Sequence, residues 1–121
     1  MKEQLITFET AKLAKEKVLR IGSLNYYNGN DDLVTINKNY STDHHHKNNN
    51  MQRFRYEAPT QSLLQKWLRE EHNLFVSVDK YEDKADSYFI STNCIGIYGE
   101  FKTYESALEN GLLEALKLIN L

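Results

Sequence analysis

The chain of 121 residues contains one cysteine, Cys94, one proline, Pro59, and one tryptophan, Trp67. A single cysteine makes no internal disulfide, which excludes a small secreted domain held together by cross-links. With no second cysteine near it, a cysteine-based zinc cluster is excluded as well. No stretch of about 18 apolar residues occurs, so no transmembrane helix is expected. The start, Met1-Lys2-Glu3-Gln4, runs directly into an amphipathic segment and lacks the ~7–15-residue apolar stretch of a secretory leader. These absences point to the cytoplasm and to no membrane partner. Neither sign of charge dominates: 15 Lys and Arg stand against 17 Asp and Glu, a net charge of −2. That excludes a protein holding nucleic acid by bulk positive charge, though not one with a local basic patch.

What is present is the composition of an ordinary globular domain, 40% apolar and 26% charged. A chain of this length buries roughly two thirds of the surface it exposes when unfolded, enough for an independent core. We read residues 1–121 as one α+β domain, with sub-lobes at 1–57 and 58–121. Residues 1–58 carry nine basic and seven acidic side chains and residues 59–121 six and ten, a mild asymmetry. Lys outnumbers Arg 11 to 4 and Asn is abundant, which reflects the coding DNA rather than chemistry.

Three helices carry start signals. The first is expected from Phe8 to about Ile21, with Thr7 as N-cap and Glu9 in the first turn, where the helix dipole favours an anion. Ala11, Ala14, Val18 and Ile21 form its apolar stripe, and Gly22 is its expected stop. The second spans about Gln61 to His72, entered through Pro59 and Thr60, with Leu63, Leu64, Trp67 and Leu68 buried and Asn73 as a left-handed cap. The third runs from Tyr104 to about Ile119 behind Thr103, with Tyr104, Leu108, Leu112, Ala115, Leu116 and Ile119 inward. Gly111 falls inside it at a cost of about 1 kcal/mol relative to Ala, which a close approach to a strand or helix would explain.

Strands fill the gaps. Leu24–Tyr27 and Leu33–Asn37 flank Asn28-Gly29-Asn30-Asp31, a strong hairpin turn. Leu74, Val76 and Val78 alternate with Phe75, Ser77 and Asp79 along the next strand. Ser87–Thr92 follows, and then Cys94–Phe101, with Ile95, Ile97 and Phe101 expected on one face. Residues 41–50 have no periodicity and no apolar side chain, which reads as a solvated, mobile loop. Met51–Glu57 leans towards a strand, because Phe54 and Tyr56 alternate with Arg53 and Arg55. The order is α-β-β-(β)-α-β-β-β-α, three helices packed on antiparallel sheet, which is α+β. Its second half has the element order of a double-stranded-RNA-binding domain. Lys102-Thr103-Tyr104-Glu105-Ser106, however, lacks the lysine run that such a domain places at its last helix, so the likeness is one of topology.

No catalytic motif stands out. His44-His45-His46 carries metal-binding imidazoles, but consecutive residues in a loop converge poorly on one ion. Asn28, Asn30, Asp31 and Asp32 lack the spacing of a calcium loop and read as turn residues. Gly96-Ile97-Tyr98 begins like a GIY-YIG nuclease, yet no Tyr-Ile-Gly follows and no Arg occurs after Arg69. Glu70-Glu71-His72 is not the two-histidine helix motif of a metalloprotease. Cys94 in a strand reads as small packing material rather than a nucleophile. No enzyme, metal or cofactor is expected.

Two surfaces remain. Eight Tyr and five Phe are many for one core, so Phe75, Tyr81, Tyr88 and Tyr98 are candidates for a partner-binding face, for an unknown protein or a second copy. Arg53, Phe54 and Arg55, with Lys12 and Arg20 of the first helix, are the candidates for contact with single-stranded nucleic acid. A pocket for a small molecule or nucleotide between the first helix and the sheet is a third expectation.

Three blocks carry a resemblance: Leu5-Ile6-Thr7-Phe8-Glu9-Thr10-Ala11-Lys12-Leu13-Ala14-Lys15-Glu16-Lys17, then Ala58-Pro59-Thr60-Gln61-Ser62-Leu63-Leu64-Gln65-Lys66-Trp67-Leu68-Arg69-Glu70-Glu71-His72-Asn73, then Tyr104-Glu105-Ser106-Ala107-Leu108-Glu109-Asn110-Gly111-Leu112-Leu113-Glu114-Ala115-Leu116-Lys117-Leu118-Ile119. Together they resemble a group of small uncharacterised proteins of Bacteroidetes bacteria and their phages or prophages. The resemblance implies an accessory protein of a mobile element acting in a bacterial host cytosol, and assigns no residue a role. Within that setting the leading expectation is a non-enzymatic binding protein that engages a host protein.

Overall fold

The computed structural model describes residues 4–22, 24–30, 32–35 and 55–119. Helix α1 covers Phe8–Glu16, α2 Gln61–His72 and α3 Tyr104–Lys117. Strands β1 (Asn25–Tyr27), β2 (Leu33–Thr35) and β3 (Tyr56–Glu57) make one antiparallel sheet in the order β2-β1-β3. Strands β4 (Val76–Lys80), β5 (Tyr88–Thr92) and β6 (Gly96–Phe101) make a second, in the order β4-β5-β6. The class is α+β, built on two three-stranded sheets rather than one.

All three helices among the described residues begin on a threonine. The hydroxyls of Thr7, Thr60 and Thr103 accept from the backbone N–H groups of Thr10, Leu63 and Ser106, each satisfying a donor that the helix leaves open. Helix α2 ends on Asn73 in the left-handed conformation, φ 54°, as its sequence suggests. In α2 the buried residues are Gln61, Leu64 and Leu68, while Leu63 faces outward and Trp67 is half-buried against the His72 ring.

Helix α1 stops five residues short of the expected end. Lys17 is its C-cap and Val18 takes φ 65°. The Val18 N–H donates to the Lys15 carbonyl and the Leu19 N–H to the Ala14 carbonyl, the double bond pattern of a Schellman turn. The turn brings Leu19 into the core and leaves Val18 half-exposed, the reverse of what three-and-four spacing implied. Two tertiary contacts hold this end: Lys17 Nζ donates to the Ile119 carbonyl at 2.7 Å, and the Ile21 and Gly22 N–H groups donate to the Glu57 carboxylate.

Helix α3 packs across the second sheet, and α1 and α2 pack against α3. The apolar core is one continuous cluster reaching from Ile6 and Ala11 through Leu64 and Leu68 to Ile90, Leu112 and Leu116. The sub-lobes are thus tied by a shared core, and by backbone as well. The Ile6 N–H donates to the Pro59 carbonyl and the Gln61 N–H to the Gln4 carbonyl, on either side of a Leu5–Thr60 bridge. Gly111 makes the packing of α3 on the sheet possible. A Cβ there would lie 2.8 Å from Val76 Cγ1 and 3.0 Å from Ile90 Cγ2, so the helix approaches β4 and β5 more closely than any side chain allows.

Where the three helices meet, the Glu109 carboxylate accepts from the Thr7 N–H at 2.9 Å, from the Thr7 hydroxyl at 2.8 Å and from Gln61 Nε2 at 2.9 Å, and also from the Thr10 hydroxyl. Thr10 and Gln61 are buried, so this half-buried carboxylate supplies an acceptor to donors that solvent does not reach.

Candidate functional site

Among the described elements, only α3 covers the second sheet, and it covers one face. Val76, Val78, Ile90, Tyr98 and Phe101 turn towards α3, and among the described residues no helix or strand packs on the opposite face. Alternation along β4 sends Phe75, Ser77 and Asp79 to that open side, as their spacing implied. Register then places Ser91 of β5 and Ile97 of β6 beside Ser77.

Ile95, Ile97 and Phe101 were expected to share one face, and the structure corrects this. The β5–β6 ladder slips between Tyr88↔Phe101 and Ile90↔Tyr98, with Gly99 at φ +88° in the slip. That is a bulge of the type that needs glycine, and one extra residue reverses which side chains face the core. Tyr98 and Phe101 are therefore inside, and Ile97 is 71% exposed on the open face. Phe75, just before β4, and Ile95, in the turn before β6, are 46% and 45% exposed. The signal for the slip was Gly99 itself, since an isolated glycine inside a strand marks a bulge.

The four aromatic candidates separate. Phe75 is on the open face. Tyr81 lies on the same side but is occupied locally: its hydroxyl donates to the Gly99 carbonyl at 2.8 Å, its ring packs on Phe89 at 4.9 Å, and Lys84 Nζ sits 5.6 Å from its ring centre. Tyr88 and Tyr98 belong to the covered face. Tyr88 meets the Tyr104 ring edge-on, and the Tyr98 hydroxyl lies 3.4 Å from Asn110 Oδ1. Burial, with the nearby Glu114 charge, raises the Tyr98 pKa above the usual tyrosine value. Tyr104, expected inward, is exposed. Cys94 is not packing material either. It is an exposed thiol in the turn between β5 and β6.

A second surface lies between the end of α1 and β3. Residues of the turn after α1, together with Arg55 and Glu57, line an open groove of about 730 Å³. Lys15, Arg20 and Arg55 bring three cations to it. The Arg55 guanidinium lies 4.2 Å from the centre of the Tyr26 ring, and Lys15 Nζ donates to the Arg55 carbonyl at 3.0 Å while lying 4.9 Å from the Tyr56 ring centre. Partial burial lowers the Lys15 pKa from the usual lysine value. Of the nucleic-acid candidates, Arg20 and Arg55 come together here. Lys12 does not, its ammonium lying instead 5.3 Å from the Phe8 ring centre. Arg53, Phe54, the histidine run at 44–46 and the loop at 41–50 fall outside the described residues.

Among the described residues, no three His, Cys, Asp or Glu side chains are grouped so as to hold a metal ion, and no helix is long and apolar enough to cross a membrane. Comparison of the chain with family models, curated proteins and solved structures finds no match in any of the three.

Proposed function

We propose that the protein is a non-enzymatic binding module that engages a protein partner through the open face of its C-terminal sheet. The observation that carries this reading is Ile97, 71% exposed near the start of β6, with Phe75 and Ile95 also exposed where β4 and β6 begin at the same end of the sheet. Single exposed apolar side chains are ordinary, whereas a cluster on an uncovered sheet is the usual form of an interaction surface. Ser77 and Ser91 stand beside Ile97 in register and add polar groups to the same face, while the Asn93 amide is committed to the Phe75 N–H and the Asn73 carbonyl. On the resemblance of the three sequence blocks, the partner would be a protein of a bacterial host and the chain an accessory factor of a phage or prophage.

The test uses Ile97→Lys and Phe75→Ser, both at exposed positions where stability changes of about 0.5 kcal/mol or less are expected. A protein captured from a bacterial lysate by the parent chain and lost with each variant, at unchanged melting temperature, supports the reading. Light scattering separates the other occupant. A dimer that Ile97→Lys dissociates would assign the face to self-association and overturn the host-partner reading, as would capture that neither substitution affects.

A further inference from the structure

The groove beside α1 is independent of the sheet face, and its chemistry is different. Among the described residues that line it, three cations, Lys15, Arg20 and Arg55, stand beside one carboxylate, Glu57, in a chain whose net charge is −2. The local excess of positive charge is therefore opposite in sign to that of the whole chain. The cation–π contact with Tyr26, 4.2 Å from the guanidinium carbon to the ring centre, restrains Arg55 and reduces the freedom it would lose on binding an anion.

The lining also has apolar members, among them Val18 and Ile21. Val18 is a β-branched residue at φ 65°, a conformation that crowds its side chain, and at 53% exposure it contributes little to the core. A glycine or asparagine would close the same turn with less strain. The buried Leu19 and the Glu57 contacts impose the turn, but they do not require a valine at its left-handed position. What Val18 adds over glycine is an apolar surface on the groove.

Glu57 narrows the class of ligand. Its oxygens accept from the Ile21 N–H at 2.9 Å and the Gly22 N–H at 2.5 Å, which fixes the carboxylate in the groove. A ligand made only of negative groups is repelled there, whereas one that carries hydroxyl or amino hydrogens beside its negative group is not. At about 730 Å³ the groove is also within the size range of small-ligand sites.

We infer that this groove binds a nucleotide unit, with its phosphate at Arg20 and Arg55, its base against Val18 and Ile21, and its hydroxyl or amino hydrogens towards Glu57. The same chemistry is offered by a free mononucleotide and by one unit of a single strand.

The experiment is an NMR titration of the full ¹⁵N-labelled chain, purified free of nucleic acid, with adenosine monophosphate, uridine monophosphate, a short single-stranded oligonucleotide and inorganic phosphate, at low and high salt. Expected are saturable shifts of the Arg20, Ile21 and Gly22 amides with a nucleotide. The dissociation constant should rise roughly tenfold in Arg20→Glu and in Arg55→Ala, as the loss of one charge-assisted contact predicts. Val18→Gly should weaken binding while raising the melting temperature, a combination that a purely structural role for Val18 would not give. Ile97→Lys should leave the titration unchanged, which separates this site from the sheet face. Saturation by a mononucleotide assigns a free ligand and saturation by the oligonucleotide alone assigns a strand, and either upholds the site. The inference is overturned if no nucleotide moves the groove amides, if inorganic phosphate moves them as strongly at the same concentration, or if Arg20→Glu does not weaken binding.

Discussion

Replacing Gly111 by alanine sets two physical effects of opposite sign against each other. In an exposed helix interior the change stabilises by about 1 kcal/mol, because glycine loses more backbone entropy on folding. In this fold the new methyl would lie 2.8 Å from Val76 Cγ1 and 3.0 Å from Ile90 Cγ2. Carbon atoms pack best at roughly 3.5–4.0 Å, so both contacts are short by at least half an ångström. Neither neighbour yields easily. Val76 is β-branched and fixed in a strand, and Ile90 is completely buried. Overpacking of this kind costs about 1–3 kcal/mol, which exceeds the propensity gain. The expected outcome is a net destabilisation of about 1 kcal/mol, read as a melting temperature lower by roughly 3–6 °C. Urea unfolding followed by Trp67 fluorescence gives the same quantity at constant temperature. A double-mutant cycle with Val76→Ala isolates the cause: with Cγ1 gone, the penalty of Gly111→Ala should shrink by about 1 kcal/mol. A Gly111→Ala variant more stable than the parent would refute the close approach of α3 to the sheet.

Two further substitutions test the remaining joints of the fold. Glu109→Ala removes the acceptor shared by Thr7, Thr10 and Gln61; Gln61 Nε2 keeps the Glu105 carbonyl and the Thr10 hydroxyl keeps Thr7 Oγ1, so unfolding free energy should fall by about 1–2 kcal/mol in urea titration. A loss below about 0.5 kcal/mol, the range of ordinary surface changes, would show that water replaces the carboxylate and that the node does not join the helices. Val18→Gly relieves a left-handed β-branched residue at a cost of about 1–2 kcal/mol, partly offset by the greater freedom of glycine in the unfolded chain. A gain of roughly 0.5–1 kcal/mol is expected, and a clear loss of stability would mean that Val18 packs where the structure leaves it half-exposed.

Much of the architecture was legible in local chemistry. Thr7, Thr60 and Thr103 announce their helices because a hydroxyl at the N-cap satisfies a backbone donor whatever the surroundings, and Asn73 closes α2 because asparagine tolerates the left-handed conformation. Alternation along β4 settled that Val76 is inside and Phe75 outside, since successive strand residues point to opposite faces. The α+β class followed from these signals alone. Other features were decided by contacts distant in sequence. Helix α1 ends at Lys17 because Leu19, Glu57 and Ile119 capture the chain after it, and no residue within the helix marks that stop. The bulge at Gly99 inverted β6, so Ile97 rather than Tyr98 reaches the open face, because a one-residue slip moves every later side chain to the other side. Lys15, Arg20 and Arg55 meet in one groove only because β3 pairs with β1 and returns the chain to the end of α1. Caps and alternation act within a few residues and can be read along the chain. Register, helix termination and the convergence of charges depend on which distant segments pair, and these only the tertiary structure decided.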